Sequence, residues 1–202
     1  MKLLSQPFRI VASAILCTLS LVGLVLYEGQ ARASGTEVVL RMQGVDPRSL
    51  LSGHYVVLSL QEPLADGARC PPGTADRLDQ RRAPQWIALS PDGAHHSVSG
   101  AGATREQAQA FSALIMRGHA YCAEGRAAEG EAPGTPGVIT LQTGIDRFHN
   151  AQAQAERIER LVGAQRPGGE ERVFAIVSVG EDGRARLKGL LIDGERVMLD
   201  WS

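Results

Sequence analysis

The chain has 202 residues, of which 21% are charged, and its net charge is -1 at neutral pH. This length suits one folded domain of moderate size with an accessory segment. Because basic and acidic residues are intermixed along the chain, no large positive face is expected, and nucleic acid is excluded as a partner.

The first predicted element is a membrane-spanning helix over residues 10–27. These eighteen residues carry no charge, and as a helix they measure about 27 Å, close to the roughly 30 Å hydrocarbon core of a bilayer. Lys2 and Arg9 precede the segment and Tyr27 ends it, which places the N-terminus in the cytoplasm. The sequence therefore predicts an uncleaved, single-pass signal-anchor in a bacterial inner membrane, followed by a short linker and a periplasmic domain.

A second interpretation is a signal peptide that is cleaved to release a secreted protein. The tripeptide Ala31-Arg32-Ala33 has the A-x-A pattern that signal peptidase cuts. The apolar segment is longer than the roughly 7–15 residues usual for signal peptides, which favours the anchor. The predicted division is residues 1–34 for the cytoplasmic tip, the anchor and the linker, and residues 35–202 for the periplasmic domain.

Beyond Gly35 the chain reads as short strands separated by turns. Apolar, β-branched strands flank a turn at residues 46–53, and a hairpin is predicted at residues 85–100. A C-terminal meander turns at residues 181–183 and 193–194. Alternation of residue types in its middle strand predicts one drier face near the start of that strand. The predicted fold class is mainly β (α+β), with one antiparallel β-rich domain.

Two short helices are predicted among these strands. Residues 149–163 combine helix formers, regularly spaced apolar positions and a stop at Gly163. A second helix is predicted to begin after Thr104, which suits an N-cap, and to give way to one strand over residues 112–121. The first helix is expected to pack on or beside the sheet.

Cysteine usage agrees with an oxidising compartment. Cys17 lies within the apolar segment, where it acts as a small apolar residue. Cys70 and Cys122 remain beyond it, and an even pair outside the cytoplasm is most simply a structural disulfide.

The stretch "DPRSLLSGHYVVLSL" resembles the hallmark of a bacterial family of membrane-anchored proteins named for its motif Gly-Asp-Tyr-x-x-Leu-x-Tyr. Gly53, Tyr55 and Leu58 match the motif, whereas His54 replaces its Asp and Leu60 its final Tyr. The segments "LIMRGHA", "GIDRFHNAQAQAERIE" and "RARLKGLLIDGERV" are also similar to later parts of the family. The resemblance spans most of residues 36–197.

The resemblance implies a single-span protein with a periplasmic domain, often encoded beside polytopic membrane proteins, and it implies no established activity. We therefore expect an accessory or assembly subunit of a larger membrane complex, with a polytopic membrane protein as its partner. A periplasmic ligand-binding or sensing module is the alternative. A hydrolase that pairs His54 or His149 with Asp46 or Asp146 ranks third.

No catalytic, cofactor-binding or metal-binding residue is assigned from the sequence, and the prediction leans away from an enzyme. Asp, Asn and His all tolerate turn conformations, so His54 is interpreted as part of a turn after Gly53. Adjacent strand residues point to opposite faces, so His95 and His96 are expected to flank a solvated turn rather than to bind a metal. No nucleotide-binding or serine-nucleophile motif is present.

Overall fold

The computed structural model describes residues 6–43, 55–57, 59–65, 67–76, 85–125, 136–145, 147–149 and 173–198. An N-terminal apolar helix is followed by a domain of mainly antiparallel strands, which confirms the predicted fold class. The elements in chain order are α1 (Gln6–Ser34), β1 (Thr36–Gln43), β2 (Tyr55–Val57), β3 (Ser59–Pro63), β4 (Trp86–Asp92), β5 (His95–Gly102), α2 (Arg105–Gln109), β6 (Leu114–Arg117), β7 (His119–Ala123), β8 (Val138–Gln142), β9 (Arg147–His149), β10 (Val173–Val179), β11 (Ala185–Ile192) and β12 (Glu195–Met198).

Helix α1 extends past Tyr27 and ends only at Ser34, so the expected linker before Gly35 is wrong. The reason is local, because this stretch consists largely of good helix formers and only Gly29 opposes the helix. The apolar side chains along α1 are mostly exposed, and Leu19, for example, is 64% exposed. The β-rich domain therefore does not bury the apolar surface of α1.

Seven strands form the larger sheet in the order β12-β11-β10-β1-β3-β8-β7, and all neighbours run antiparallel. Strand β1 lies at the centre of this sheet and follows α1 after a single residue, Gly35. The alternating side chains Val38, Leu40 and Met42 of β1 are buried in the main core. Helix α1 thus leads directly into the middle strand of the domain.

A smaller sheet contains β5, β4 and β6. The predicted hairpin is confirmed as β4 and β5, which are joined at Gly93-Ala94. The predicted N-cap is also confirmed, because the Thr104 side chain accepts a hydrogen bond from the backbone N of Gln107. The Gln107 side chain in turn accepts one from the backbone N of Thr104. The single strand expected after α2 is instead two strands in different sheets, β6 and β7, separated by Gly118.

The C-terminal hairpins are confirmed as β10–β11 and β11–β12. The predicted alternation along β11 fails at Lys188, because the register with β10 shifts there and leaves Lys188 as the extra residue of a β-bulge. Leu187 and Leu190 are consequently both buried. The Lys188 ammonium instead lies 3.0 Å from a carboxylate oxygen of Glu37.

The helix predicted over residues 149–163 starts at a residue that lies in a strand. His149 ends β9, and its backbone is paired antiparallel with that of Tyr55 in β2. The predicted start is therefore wrong, because pairing with a strand distant in sequence overrides local helix preference. The rest of the predicted helix, residues 150–163, lies outside the described residues.

The predicted disulfide between Cys70 and Cys122 is confirmed, and it joins residues 52 positions apart. It ties the loop after β3 to the edge strand β7. Beside it the backbone N of Ala75 donates to the carbonyl of Ala120, and the backbone N of Cys122 donates to the carbonyl of Ala75. The loop thereby covers part of an edge of the larger sheet, which protects that edge from pairing with other chains.

Replacing both bridge cysteines, as Cys70→Ser with Cys122→Ser, is expected to lower the free energy of unfolding by up to about 4 kcal/mol, the loop-closure value for a loop of this length. Denaturant titration of the full chain in micelles measures it, and Cys17→Ser is the matched control because Cys17 is a free, exposed cysteine. Non-reducing peptide mapping should recover Cys70 and Cys122 in one linked pair. Two free thiols at these positions would contradict the bridge.

Candidate functional site

The predicted family-motif residues fall mostly where the structure gives no description. Gly53, His54 and Leu58 lie outside the described residues, and Tyr55 is described by its backbone alone. The backbone of β2 pairs with β9, so the motif strand lies beside the segment Arg147–His149. Two segments on which the family resemblance rests are therefore neighbours in the fold.

His95 and His96 follow the exposed turn Gly93-Ala94, as expected, but the His96 side chain is only partly exposed and contacts β1. Its Nδ1 accepts a hydrogen bond of 3.3 Å from the backbone N of Val39 in β1. Strand β1 pairs with β3 only at Met42 and Gln43. The earlier part of this edge of β1 therefore needs another acceptor, which the imidazole of His96 supplies.

His95 is also packed against β1, with a side chain only 12% exposed. Arg41 Nε donates to its Nε2 at 2.8 Å, and the ring stacks on Phe174 at a centroid distance of 6.0 Å. The same Nε2 lies 3.3 Å from a carboxylate oxygen of Asp92.

Glu62 of β3 joins the same contact region between the two sheets. One of its carboxylate oxygens accepts a 3.0 Å hydrogen bond from the backbone N of Val98 in β5. Burial raises the pKa of the Glu62 carboxyl above its ordinary value, and this outweighs the hydrogen bonds from Val98 and Ser97 and the charges of Arg41 and His95, which lower it.

These polar groups help to hold β5 against β1 and β3. In the part of the chain that the structure describes, no group of three or more His, Cys, Asp or Glu side chains is arranged to hold a metal ion. The side chains that a hydrolase would use, those of His54, His149, Asp46 and Asp146, belong to no described site.

The most developed polar site lies where α1 meets the domain. It consists of Glu28, Asp182 and Arg186, and we call it the juxtamembrane joint after the candidate membrane span in α1. Arg186 of β11 is buried, with only 9% of its surface exposed. Its Nε donates to Glu28 of α1 at 2.8 Å, and a terminal nitrogen lies 3.4 Å from Asp182. A buried guanidinium needs such partners, because an unpaired charge in this position is strongly destabilising.

Asp182 is held in place by the turn between β10 and β11. Partial burial raises the pKa of its carboxyl, but hydrogen bonds from the backbone N of Arg184 and the side chain of Arg186 outweigh burial and lower the pKa overall. Asp182 therefore stays ionised beside Arg186 at neutral pH, and it completes the neutralisation that Glu28 begins.

Gly35 makes the direct passage from α1 to β1 possible. A Cβ atom at this position would collide with the Oγ atom of Ser178 and lie 2.9 Å from the carbonyl oxygen of Val179. Only a residue without a side chain lets the backbone approach β10 so closely. The joint is thus fixed by backbone contact as well as by charge.

A cavity of about 670 Å³ lies beside the joint, and we call it the juxtamembrane cavity. The end of α1 forms one wall, from Tyr27 to Ser34. Arg105 of α2, Leu114 of β6 and Asp182 of the turn between β10 and β11 also line the cavity. The cavity therefore combines apolar and charged surface next to the end of the apolar helix.

Sequence reasoning missed the residues of the joint and the cavity. Glu28 was visible only as the charge that ends the apolar run, and Arg186 as one polar position in a strand. Neither position has a motif, because the pair is separated by 158 residues and meets only in the folded chain.

Comparison with known proteins identifies one relationship. Residues 17–190 match the family described as GDYXXLXY protein, which covers most of the chain and confirms the resemblance seen in the sequence. The match begins inside α1 and ends in β11, so it includes the juxtamembrane joint. No curated protein and no solved structure matches the chain.

Replacing Glu62 with Gln is expected to raise the free energy of unfolding at pH 7 and to flatten its pH dependence. Because the folded pKa is raised, the native state binds more protons than the unfolded state between the ordinary value of 4.5 and the folded pKa, and stability falls as pH rises through that window. Glutamine keeps an acceptor for Val98 but carries no charge to desolvate.

Urea titrations at several pH values measure this effect. Glu181→Gln, an exposed carboxylate in the turn between β10 and β11, is the matched control and should leave the profile nearly unchanged. If the free energy of unfolding varied with pH in the same way for the wild type and Glu62→Gln, the expected desolvation penalty of the buried carboxylate would be contradicted.

Proposed function

We propose that this chain, which belongs to the GDYXXLXY protein family, is an accessory or assembly subunit of a larger membrane complex, with its β-rich domain in the periplasm. In this proposal α1 anchors the chain in the inner membrane, and a polytopic membrane protein is the partner. The domain contributes a surface held at a fixed position rather than a reaction.

The exposed apolar helix supports the membrane anchor. The segment Phe8–Ser34 is long and apolar enough to cross a bilayer, and none of its most apolar window is buried by the domain. Water would oppose the exposure of side chains such as Leu19 and Leu24, whereas lipid or a partner helix would cover them. Lys2 and Arg9 before the span support a cytoplasmic N-terminus.

The disulfide supports the periplasmic side. A bridge such as Cys70–Cys122 persists in oxidising compartments and is rare in the cytoplasm. The joint also argues against the alternative of cleavage near Ala33, because that cut would remove Glu28. Buried Arg186 would then keep Asp182 but lose the shorter of its two ion pairs.

The observation that carries the proposal is the attachment of α1 to the sheet through Arg186. A sensor on a flexible tether needs no fixed relation to its anchor, whereas a subunit that docks on a membrane partner gains affinity when its surfaces are pre-organised. Here the helix passes through Gly35 into the central strand and is paired with β11. The domain thereby presents one defined face next to the membrane.

A periplasmic ligand-binding module is the second candidate, and one observation favours it. The juxtamembrane cavity, at about 670 Å³, has the size of a small-molecule site. Its walls include part of α1, so any ligand there would also contact the anchor. Binding in this cavity and an accessory role are therefore compatible.

Arg186→Gln is expected to lower recovery of a polytopic partner about tenfold, because a change in affinity of about 1.4 kcal/mol has that effect. The assay is affinity capture of the tagged full-length chain from mildly solubilised membranes. Arg196→Gln is the matched control: Arg196 is an exposed arginine paired with Glu37 and away from the juxtamembrane cavity lining.

Wild type and Arg196→Gln should recover the same polytopic protein in similar amounts. Equal recovery by Arg186→Gln would show that partner binding does not depend on the joint. The absence of any polytopic protein with the wild type would contradict the accessory role.

A further inference from the structure

We propose that the juxtamembrane cavity binds the phosphate-bearing headgroup of a phospholipid in the periplasmic leaflet, with Arg105 as the phosphate ligand. The inference rests on the proposed membrane anchor. It deepens that proposal by assigning a ligand class to the cavity.

The position of the cavity relative to the bilayer is the first argument. A helix needs about 20 residues to cross the hydrocarbon core at 1.5 Å per residue. Counted from Phe8, where the candidate span begins, the core ends close to Tyr27. Tyr27 is an aromatic residue of the kind that lies at headgroup level, and it lines the cavity. The cavity therefore opens where phospholipid headgroups are always present.

The charge of Arg105 is the second argument. One of its terminal nitrogens donates to the backbone carbonyl of Glu181 at 3.1 Å, and its guanidinium carbon lies 5.8 Å from the centre of the Trp86 ring. Both contacts are with uncharged groups, and they orient the guanidinium without an ion pair to a described carboxylate. Hydrogen bonds lower the pKa of the exposed Glu106 carboxyl, the charge of Arg105 beside it lowers that pKa further, and Glu181 lines the same cavity. A pre-oriented guanidinium is well suited to bind phosphate oxygens in pairs.

The other cavity arginine is already used. Arg186 forms ion pairs with Glu28 and Asp182. Arg105 is the other cation of the lining, and no described carboxylate forms an ion pair with it. Trp86 is itself fixed, because Arg117 stacks on it at 4.9 Å and the backbone at Gly183 packs so closely that a Cβ there would collide with the ring.

The composition of the walls favours a lipid over a free phosphate ion. Beside Arg105 the lining includes apolar side chains, among them Leu114 and Ile115, together with Ala31 of α1. A small hydrated anion gains nothing from such surface, whereas the glycerol and first acyl carbons of a lipid do. The lining thus combines the guanidinium of Arg105 with apolar surface, beside the carboxylates of Glu181 and Asp182.

The test is native mass spectrometry of the full-length chain, released from micelles that contain phosphatidylglycerol. Wild type should retain one lipid. Arg105→Gln should lower the retained fraction about tenfold, the effect of losing one charge-assisted hydrogen bond. Ala113→Phe should also lower it, because Ala113 lines the cavity and a larger side chain narrows it without removing charge.

Arg117→Gln is the matched control, because Arg117 stacks on the same Trp86 ring but does not line the cavity. It should retain lipid as the wild type does. Equal loss from Arg105→Gln and Arg117→Gln would indicate general attraction of anionic lipid and overturn the proposed site. Displacement of the lipid by millimolar inorganic phosphate would overturn the lipid as the ligand.

Carbonate extraction of membranes separates this inference from the proposed anchor. A chain that stays in the membrane but retains no lipid would overturn the cavity site alone. A chain released by carbonate would overturn the anchor and, with it, the lipid site.

Discussion

The neutralisation of one buried guanidinium shapes the junction between helix and domain. Arg186 lies in β11 with little exposure, so it requires carboxylate partners. Asp182 of the adjoining turn and Glu28 of α1 supply them. Removal of either carboxylate leaves a partly unpaired charge. Because Gly35 leaves no room for a side chain between α1 and β10, helix and sheet are coupled by charge and by close packing together.

The larger and smaller sheets of the domain are arranged around strand β1, which continues from this junction. Strand β1 follows α1 and occupies the middle of the larger sheet, so the core is built around the strand that continues from the apolar helix. Polar groups at strand edges hold the smaller sheet against the larger one. The His96 side chain accepts a hydrogen bond from the backbone N of Val39, and the Glu62 side chain accepts one from that of Val98. Such contacts satisfy backbone groups that no neighbouring strand reaches, which fixes where β5 lies.

Features with a local cause were predictable from the sequence. The hairpin turn at Asp193-Gly194, the cap at Thr104 and the Cys70–Cys122 bridge follow from residue type, spacing and compartment. The bulge at Lys188 and the packing of His95 against β1 depend on partners far along the chain, so local residue patterns did not predict them. The candidate site was invisible for the same reason, because its charged residues have no motif and meet only after folding.

Rigid coupling of α1 to the domain is tested most directly by pulsed electron paramagnetic resonance on the full-length chain in lipid nanodiscs. Native Cys17 is free and exposed within α1, and Gln142→Cys adds a second label site at an exposed position of β8. Coupling through Arg186 predicts one narrow distance distribution that broadens in Arg186→Gln. A distribution that is already broad with Arg186 in place, or one that the substitution leaves unchanged, would contradict it.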